Sequence, residues 1–261
     1  MNLLVAIIFF TLLGGALGAL VASAFLLLSD SWHRRLLPHL ISFAVGALLG
    51  AAFLALLPHA MDLAGPDNMH RVGLTFVIGI LLFFILEKLV IWRHCHHDDC
   101  EAHLPDEHAH HGDKTAGVLV LVGDGLHNLI DGVLIATAFL ADFHLGVVTA
   151  LAVAAHEIPQ EVGDIAVLVN SGMSRLKAFL YNIAASFTSV IGGIVAYFAL
   201  ETAESVRPFV LAIAAGSFVY IAVADLIPGL HRRTRVKDSV TQVTMIVLGL
   251  GMIVLSHSIL H

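Results

Sequence analysis

GVLVLVGDGLHNLIDGVLIATAFLADFHLGVVTALAVAAHEIPQEVGDIAVLVNS, residues 117–171, contains two apolar segments of helical length separated by a few residues. An α-helix needs roughly 20 apolar residues to cross a ~30 Å hydrocarbon core. So short a connection makes two such helices antiparallel neighbours. Polar residues interrupt each segment near its middle, and they do so with helical spacing. Asp124, His127, Asn128 and Asp131 fall at i, i+3, i+4 and i+7, on one helical face. His156, Glu157, Gln160, Glu161 and Asp164 fall at i, i+1, i+4, i+5 and i+8, again as one stripe. Two antiparallel helices with their stripes at the same depth can turn them toward each other.

The same apolar character runs through the whole chain. Hydrophobic residues make up 58% and charged residues 13%, where a soluble domain carries about a quarter charged. Mean hydropathy is +0.91. Eight runs are long enough to span: about 3–28, 39–63, 72–93, 116–141, 145–170, 176–200, 207–229 and 240–260. The fold class expected is therefore an all-α polytopic membrane protein of eight transmembrane helices, forming one transmembrane domain over residues 1–261. The first run lacks Lys or Arg over Met1–Phe9, and a signal peptide wants a basic leading region. A retained first helix is the expectation.

Eleven of the thirteen Lys and Arg residues fall in or beside the loops after odd-numbered spans, leaving only Arg71 and Arg207 on the other side. The positive-inside rule puts the odd loops in the cytoplasm and both termini outside. The loop at 94–115 contains seven histidines, six carboxylates, Cys95 and Cys100. Such a composition buries no core, so it is expected to be disordered or ordered only by metal. On the cytoplasmic side its cysteines are expected as reduced thiols. GALLGAAFLALLP (46–58) and GSFVYIAVADLIP (216–228) both place Gly twelve residues before Pro. Their spans run in opposite directions, as an inverted 3+2+3 repeat requires.

Asp124, Asp131, Glu157, Glu161 and Asp164 would each cost about 2.5–3.5 kcal/mol at the membrane centre. The total, of order 15 kcal/mol, rivals the stability of a whole domain. Residues 117–171 contain no Lys or Arg to offset it. Protonation, mutual pairing or a cation must do so. With two histidines and amide side chains beside the carboxylates, a divalent metal is the simplest solution. Imidazole with carboxylate oxygen suits Zn²⁺, with Fe²⁺, Mn²⁺ and Cd²⁺ as further ions of the same kind. Pro159 removes an amide hydrogen bond and leaves the Ala155 carbonyl without its helical donor, so a kink is expected there. Irregular backbone at membrane depth lines cavities or sites.

HNLID (127–131) followed by HEIPQEVGD (156–164) resembles the paired HNxxD and HExPHExGD signatures of the ZIP family of metal-ion transporters. The resemblance extends to eight helices, outward termini, the His-rich loop, LLPHA (56–60) and YIAVADLIPGLH (220–231). It implies a single transmembrane transporter domain that moves Zn²⁺ or related ions into the cytoplasm, by alternating access around a centre on helices four and five. Carried over by position, His127, Asp131, His156 and Gln160 line one metal position. Asn128 and Glu157 contribute to its neighbour with Gln160 between them, and Glu161 ligates or supports. The chain departs from the pattern at Gln160, where the motif has His. It departs again at Ala51 and Ala55, where many relatives place Asp and His, and in helix six, which offers Thr188 and Ser189 but no carboxylate.

The rival enzymatic reading is an intramembrane zinc-dependent hydrolase. That chemistry uses HExxH, and here Gln160 stands in place of the second His behind Pro159. A cation-diffusion exporter typically has six spans. The partners expected are divalent metal ions and the lipid bilayer, with no nucleic acid and with a homodimer as the assembly to test. The plasma or bacterial inner membrane is the expected location.

Overall fold

The computed structural model describes residues 2–25, 30–92, 114–232 and 234–260. Residues 94–113 of the His-rich loop, including Cys95 and Cys100, lie outside them, while Lys114 and Thr115 open a helix. The described residues form helices joined by short turns, with no strand among them. Helix α1 spans Leu3–Phe25. Helix α2 comprises Asp30–Gly50, a π-helical turn Ala51–Leu56, and Leu57–Ala64. Next come α3, Met69–Trp92; α4, Lys114–Ala141; and α5, Phe143–Asn170. Helix α6 joins Arg175–Ser186 to Thr188–Leu200. Helix α7 comprises Arg207–Tyr220, a second π turn Ile221–Leu226, and Ile227–His231. Helix α8 is Val236–Leu260.

Seven of these are long and apolar enough to cross a membrane among the described residues. The exception is α5, whose 28 residues suffice in length but carry His156, Glu157, Glu161 and Asp164. Its polarity faces inward: His156, Glu157 and Glu161 are buried, while Leu74, Leu81 and Ile85 of α3 and Val247 and Leu255 of α8 are exposed. An apolar exterior with self-contained backbone hydrogen bonds is what a bilayer demands. Helix α5 continues through Pro159, and the irregular backbone lies instead in the π turns of α2 and α7. Those turns occupy corresponding places in the two echoed segments, five residues after Gly46 and five after Gly216.

The helices pack as an inverted repeat. Main contacts run between α1 and α5, α4 and α6, α2 and α8, and α3 and α7. Exchanging one with six, two with seven, three with eight and four with five maps this set onto itself. Close approach of backbones, the usual means of helix association in lipid, repeats residue by residue. A Cβ on Gly46 would meet the Ile246 carbonyl oxygen, and one on Gly249 that of Phe43. In the other half, a Cβ on Gly216 would meet the Phe76 carbonyl and one on Gly79 that of Ile213. Each member of one crossing sits 170 positions from its counterpart: Phe43 and Ile213, Gly46 and Gly216, Phe76 and Ile246, Gly79 and Gly249.

Asp142 alone connects α4 to α5. It caps α5 by accepting from the Leu145 amide at 2.9 Å. This tight link puts the two polar stripes at one depth.

Candidate metal centre

Helices α4 and α5 meet at the bundle centre, with His127 and Asp131 on one and His156 and Glu157 on the other. One donor atom from each of the four lies within 4.8 Å of the others, and all four residues are buried. The His156 Nε2 atom is 3.1 Å from Asp131 Oδ2, 3.3 Å from His127 Nε2 and 3.7 Å from Glu157 Oε1. His127 Nε2 lies 3.8 Å from Asp131 Oδ2 and 3.5 Å from Glu157 Oε1. A tetrahedron around Zn²⁺ with ligands at 2.0–2.1 Å has edges of about 3.3 Å. The observed separations scatter around that value.

The hydrogen-bond inventory points the same way. His156 Nδ1 lies 3.1 Å from the Ala152 carbonyl. An N–H donated there leaves the Nε2 lone pair directed at the cluster, the usual support for a metal-binding imidazole. Both oxygens of Asp131 and both of Glu157 are buried without a hydrogen-bond partner. Lone pairs and carboxylates packed this closely repel one another unless a proton or a cation joins them. Phe83 of α3 and Phe218 of α7 flank the imidazoles, with ring centroids 6.0 Å from His127 and His156 respectively. Gly18 of α1 lets backbone approach until a Cβ there would be 3.2 Å from the Glu157 Cβ. Two aromatic rings thus flank the site from α3 and α7, and α1 packs closely against Glu157.

The remaining residues singled out in the sequence take different places. Glu157 joins the two histidines and Asp131, and Gln160 lines a cavity together with His127. The Asn128 amide donates to Asp124 Oδ1 at 2.8 Å, and its own Oδ1 is buried without a partner. Glu161 accepts from the Ser186 hydroxyl at 2.7 Å and from the Asn182 amide of the same helix, α6. Thr188 donates to the Gly125 carbonyl at 2.6 Å, and Ser189 to that of Ser186 at 2.8 Å, so these hydroxyls serve the backbone. Ala51 and Ala55 are buried in the π turn of α2.

A cavity of about 420 Å³ runs from His127 and Gln160 past Asp124 and Asp164. It ends near Glu87 of α3 and Tyr220 and Asp225 of α7, where the Tyr220 hydroxyl donates to the Glu87 carboxylate. Glu87 and Tyr220 were not singled out in the sequence. Their signal was a carboxylate toward the end of one apolar span and a phenol within another, two isolated polar groups until the fold brings them together.

Comparison with known proteins gives the family. The family described as ZIP Zinc transporter matches residues 1–117 and 91–257. Zinc transporter zipt-7.1 of Caenorhabditis briggsae is 31% identical, over 82% of this chain and 69% of its own length. Zinc transporter ZIP13 of Pongo abelii is 30% identical, over 87% of this chain and 68% of its own. The ZIP13 homolog of Drosophila melanogaster is 29% identical over 85% and 78%. With family matches that cover almost the whole chain, including its buried His–Asp–His–Glu cluster, the chain belongs to the ZIP zinc transporter family.

Proposed function

We propose that this protein imports Zn²⁺ into the cytoplasm by alternating access around a site between α4 and α5, with Fe²⁺, Mn²⁺ and Cd²⁺ as further cargo. His127, Asp131, His156 and Glu157 bind the ion. Asn128 and Gln160 border a neighbouring position, and Glu161 braces α5 against α6. The observation that carries this reading is the buried cluster of donors whose two carboxylates have no hydrogen-bond partner. Zinc as the ion is supported by family membership and by the relatives' names.

The cavity supports this direction. It leaves the site toward the end of the bundle that carries Arg35, Lys88, Arg175, Lys177, Arg232, Arg235 and Lys237. The positive-inside rule makes that end cytoplasmic. On the other side of the site, Ala138, Phe139, Leu145 and Val148 are buried in the apolar core. This arrangement corresponds to an inward-open state, and the inverted repeat supplies the symmetry for its outward counterpart. Asp124, Asp164, Asp225 and Glu87 give a departing cation successive carboxylates to pass. The hydrolase reading fares worse, because both carboxylates at the cluster lie in ligand positions and neither is set apart as a base.

The test is ⁶⁵Zn²⁺ uptake by metal-free proteoliposomes, with competing divalent ions and with or without a pH gradient. His156→Ala and Asp131→Ala should abolish uptake at normal expression. Uptake at the unmodified rate in either variant would sink the proposal.

A further inference from the structure

One cleft at the basic end of the bundle lies apart from the metal path. Arg35 near the start of α2, and Arg235 and Lys237 at the start of α8, line a cavity of about 370 Å³ with His39, Thr241 and Gln242. Asp238 is the single carboxylate of that lining. Among the described residues, none of the three cations lies within 4.0 Å of a carboxylate. The hydroxyl and amide donors of the wall are already engaged, and His39 Nδ1 lies 2.5 Å from the Arg35 carbonyl. Ser42 donates to the Pro38 carbonyl at 2.7 Å, Thr241 to that of Lys237 at 2.9 Å, and Gln242 to that of Leu230 at 3.0 Å. The donors left facing the cleft are guanidinium and ammonium groups, which select an anion and suit phosphate above all.

The surroundings decide which phosphate. Trp32 is 48% exposed, one turn before Arg35, whose guanidinium sits 5.5 Å from the centre of its ring. A tryptophan at the end of a membrane helix marks headgroup depth. A cationic cleft at headgroup level matches a lipid and not a free ion; basic pockets between membrane helices recognise anionic headgroups in this way. The geometry points to a site between the basic ends of α2 and α8 for the phosphate headgroup of an anionic phospholipid. This inference does not depend on what the central site carries.

Trp32 provides the readout. It is one of two tryptophans, so Trp92→Phe leaves a single fluorophore beside the cleft. The variant is placed in phosphatidylcholine nanodiscs containing increasing fractions of brominated phosphatidylglycerol or brominated phosphatidylcholine. Half-maximal quenching is expected at a mole fraction of the anionic lipid at least about fivefold lower, the preference that one basic contact alone confers. Adding Arg35→Gln, Arg235→Gln and Lys237→Gln should merge the two curves. Superimposed curves in Trp92→Phe itself overturn the proposal without recourse to any charge variant, and so does a preference that survives the triple substitution. Glycerol 3-phosphate at millimolar concentration should leave the quenching unchanged. If it removes the preference, the cleft takes soluble phosphate and the lipid assignment falls.

Discussion

Asp131→Asn removes one negative charge from the centre while keeping the side chain's volume. Asp131 Oδ2 lies 3.1 Å from His156 Nε2 and 3.8 Å from His127 Nε2, and both of its oxygens are buried with no hydrogen-bond partner. Without metal, that carboxylate is a cost to the fold, so the metal-free variant should melt no lower than the unmodified protein. Zinc changes the comparison. At a free concentration about 1,000 times Kd, a ligand stabilises by about 4 kcal/mol. Groups that merely support metal ligands are worth 10–100-fold in affinity, so losing a direct ligand should cost at least the upper figure. The same zinc concentration would then contribute only about 1.4 kcal/mol. At roughly 2–4 °C per kcal/mol for a chain of this size, the zinc-induced rise in Tm should fall from about 8–16 °C to about 3–6 °C. The assay is thermal unfolding in detergent with free zinc held by a chelator buffer. An undiminished zinc shift in Asp131→Asn refutes ligation by Asp131. A collapse of the metal-free variant would show instead that Asp131 holds the fold together by a bond absent from the structure.

Gly132→Ala should destabilise by about 1–3 kcal/mol, because a Cβ there meets the Ser189 carbonyl. Gly163→Ala, with nothing within 4 Å, should be tolerated; equal melting of the two would show that the α4–α6 crossing is not close-packed. Asn182→Ala leaves the buried Glu161 short of a donor, so a loss of about 1–3 kcal/mol is expected, with zinc binding weakened about tenfold. A protein unchanged in both respects would remove Glu161 from any bracing role. For Asp142, burial pushes the carboxyl up, but the Leu145 and His144 amides, with the His144 and His59 imidazoles, hold it below the usual aspartate range. Its stabilisation is therefore present above the unfolded value of about 3.9 and is lost as pH falls through the lower folded value. Asp142→Ala should cost about 1 kcal/mol at pH 7, a deficit that closes toward pH 3; a pH-independent deficit contradicts the cap.

The spans were legible because hydropathy over some twenty residues leaves few alternatives, and the observed helices run within a few residues of most expected edges. Helix α2 is the exception at its start, beginning at Asp30 and continuing through Pro38. Its first turns are polar, so hydropathy alone registers them as loop. The stripes on α4 and α5 were legible because helical spacing converts directly into one face. Which of their members converge was less accessible. Placing Glu157 with the histidines depends on the rotation of α5 against α4, which no pattern within one helix encodes. The partners of Glu161 on α6 come from a contact across separate segments. The π turns were hidden because Ala51–Leu56 and Ile221–Leu226 are apolar helix formers, and their irregularity shows only in backbone hydrogen bonding. Pro159 drew attention to α5, yet a helix tolerates the lost amide there.

The matched glycine crossings mean that the chain carries its own duplicate measurement. Gly46 and Gly216 meet a carbonyl in the same way in two separate places, as do Gly79 and Gly249. Whatever side-chain volume one of them accepts, its twin should accept equally if only local fit matters. Any difference in activity between such twin substitutions would then report the asymmetry between the two faces of the membrane, with the packing geometry cancelled out.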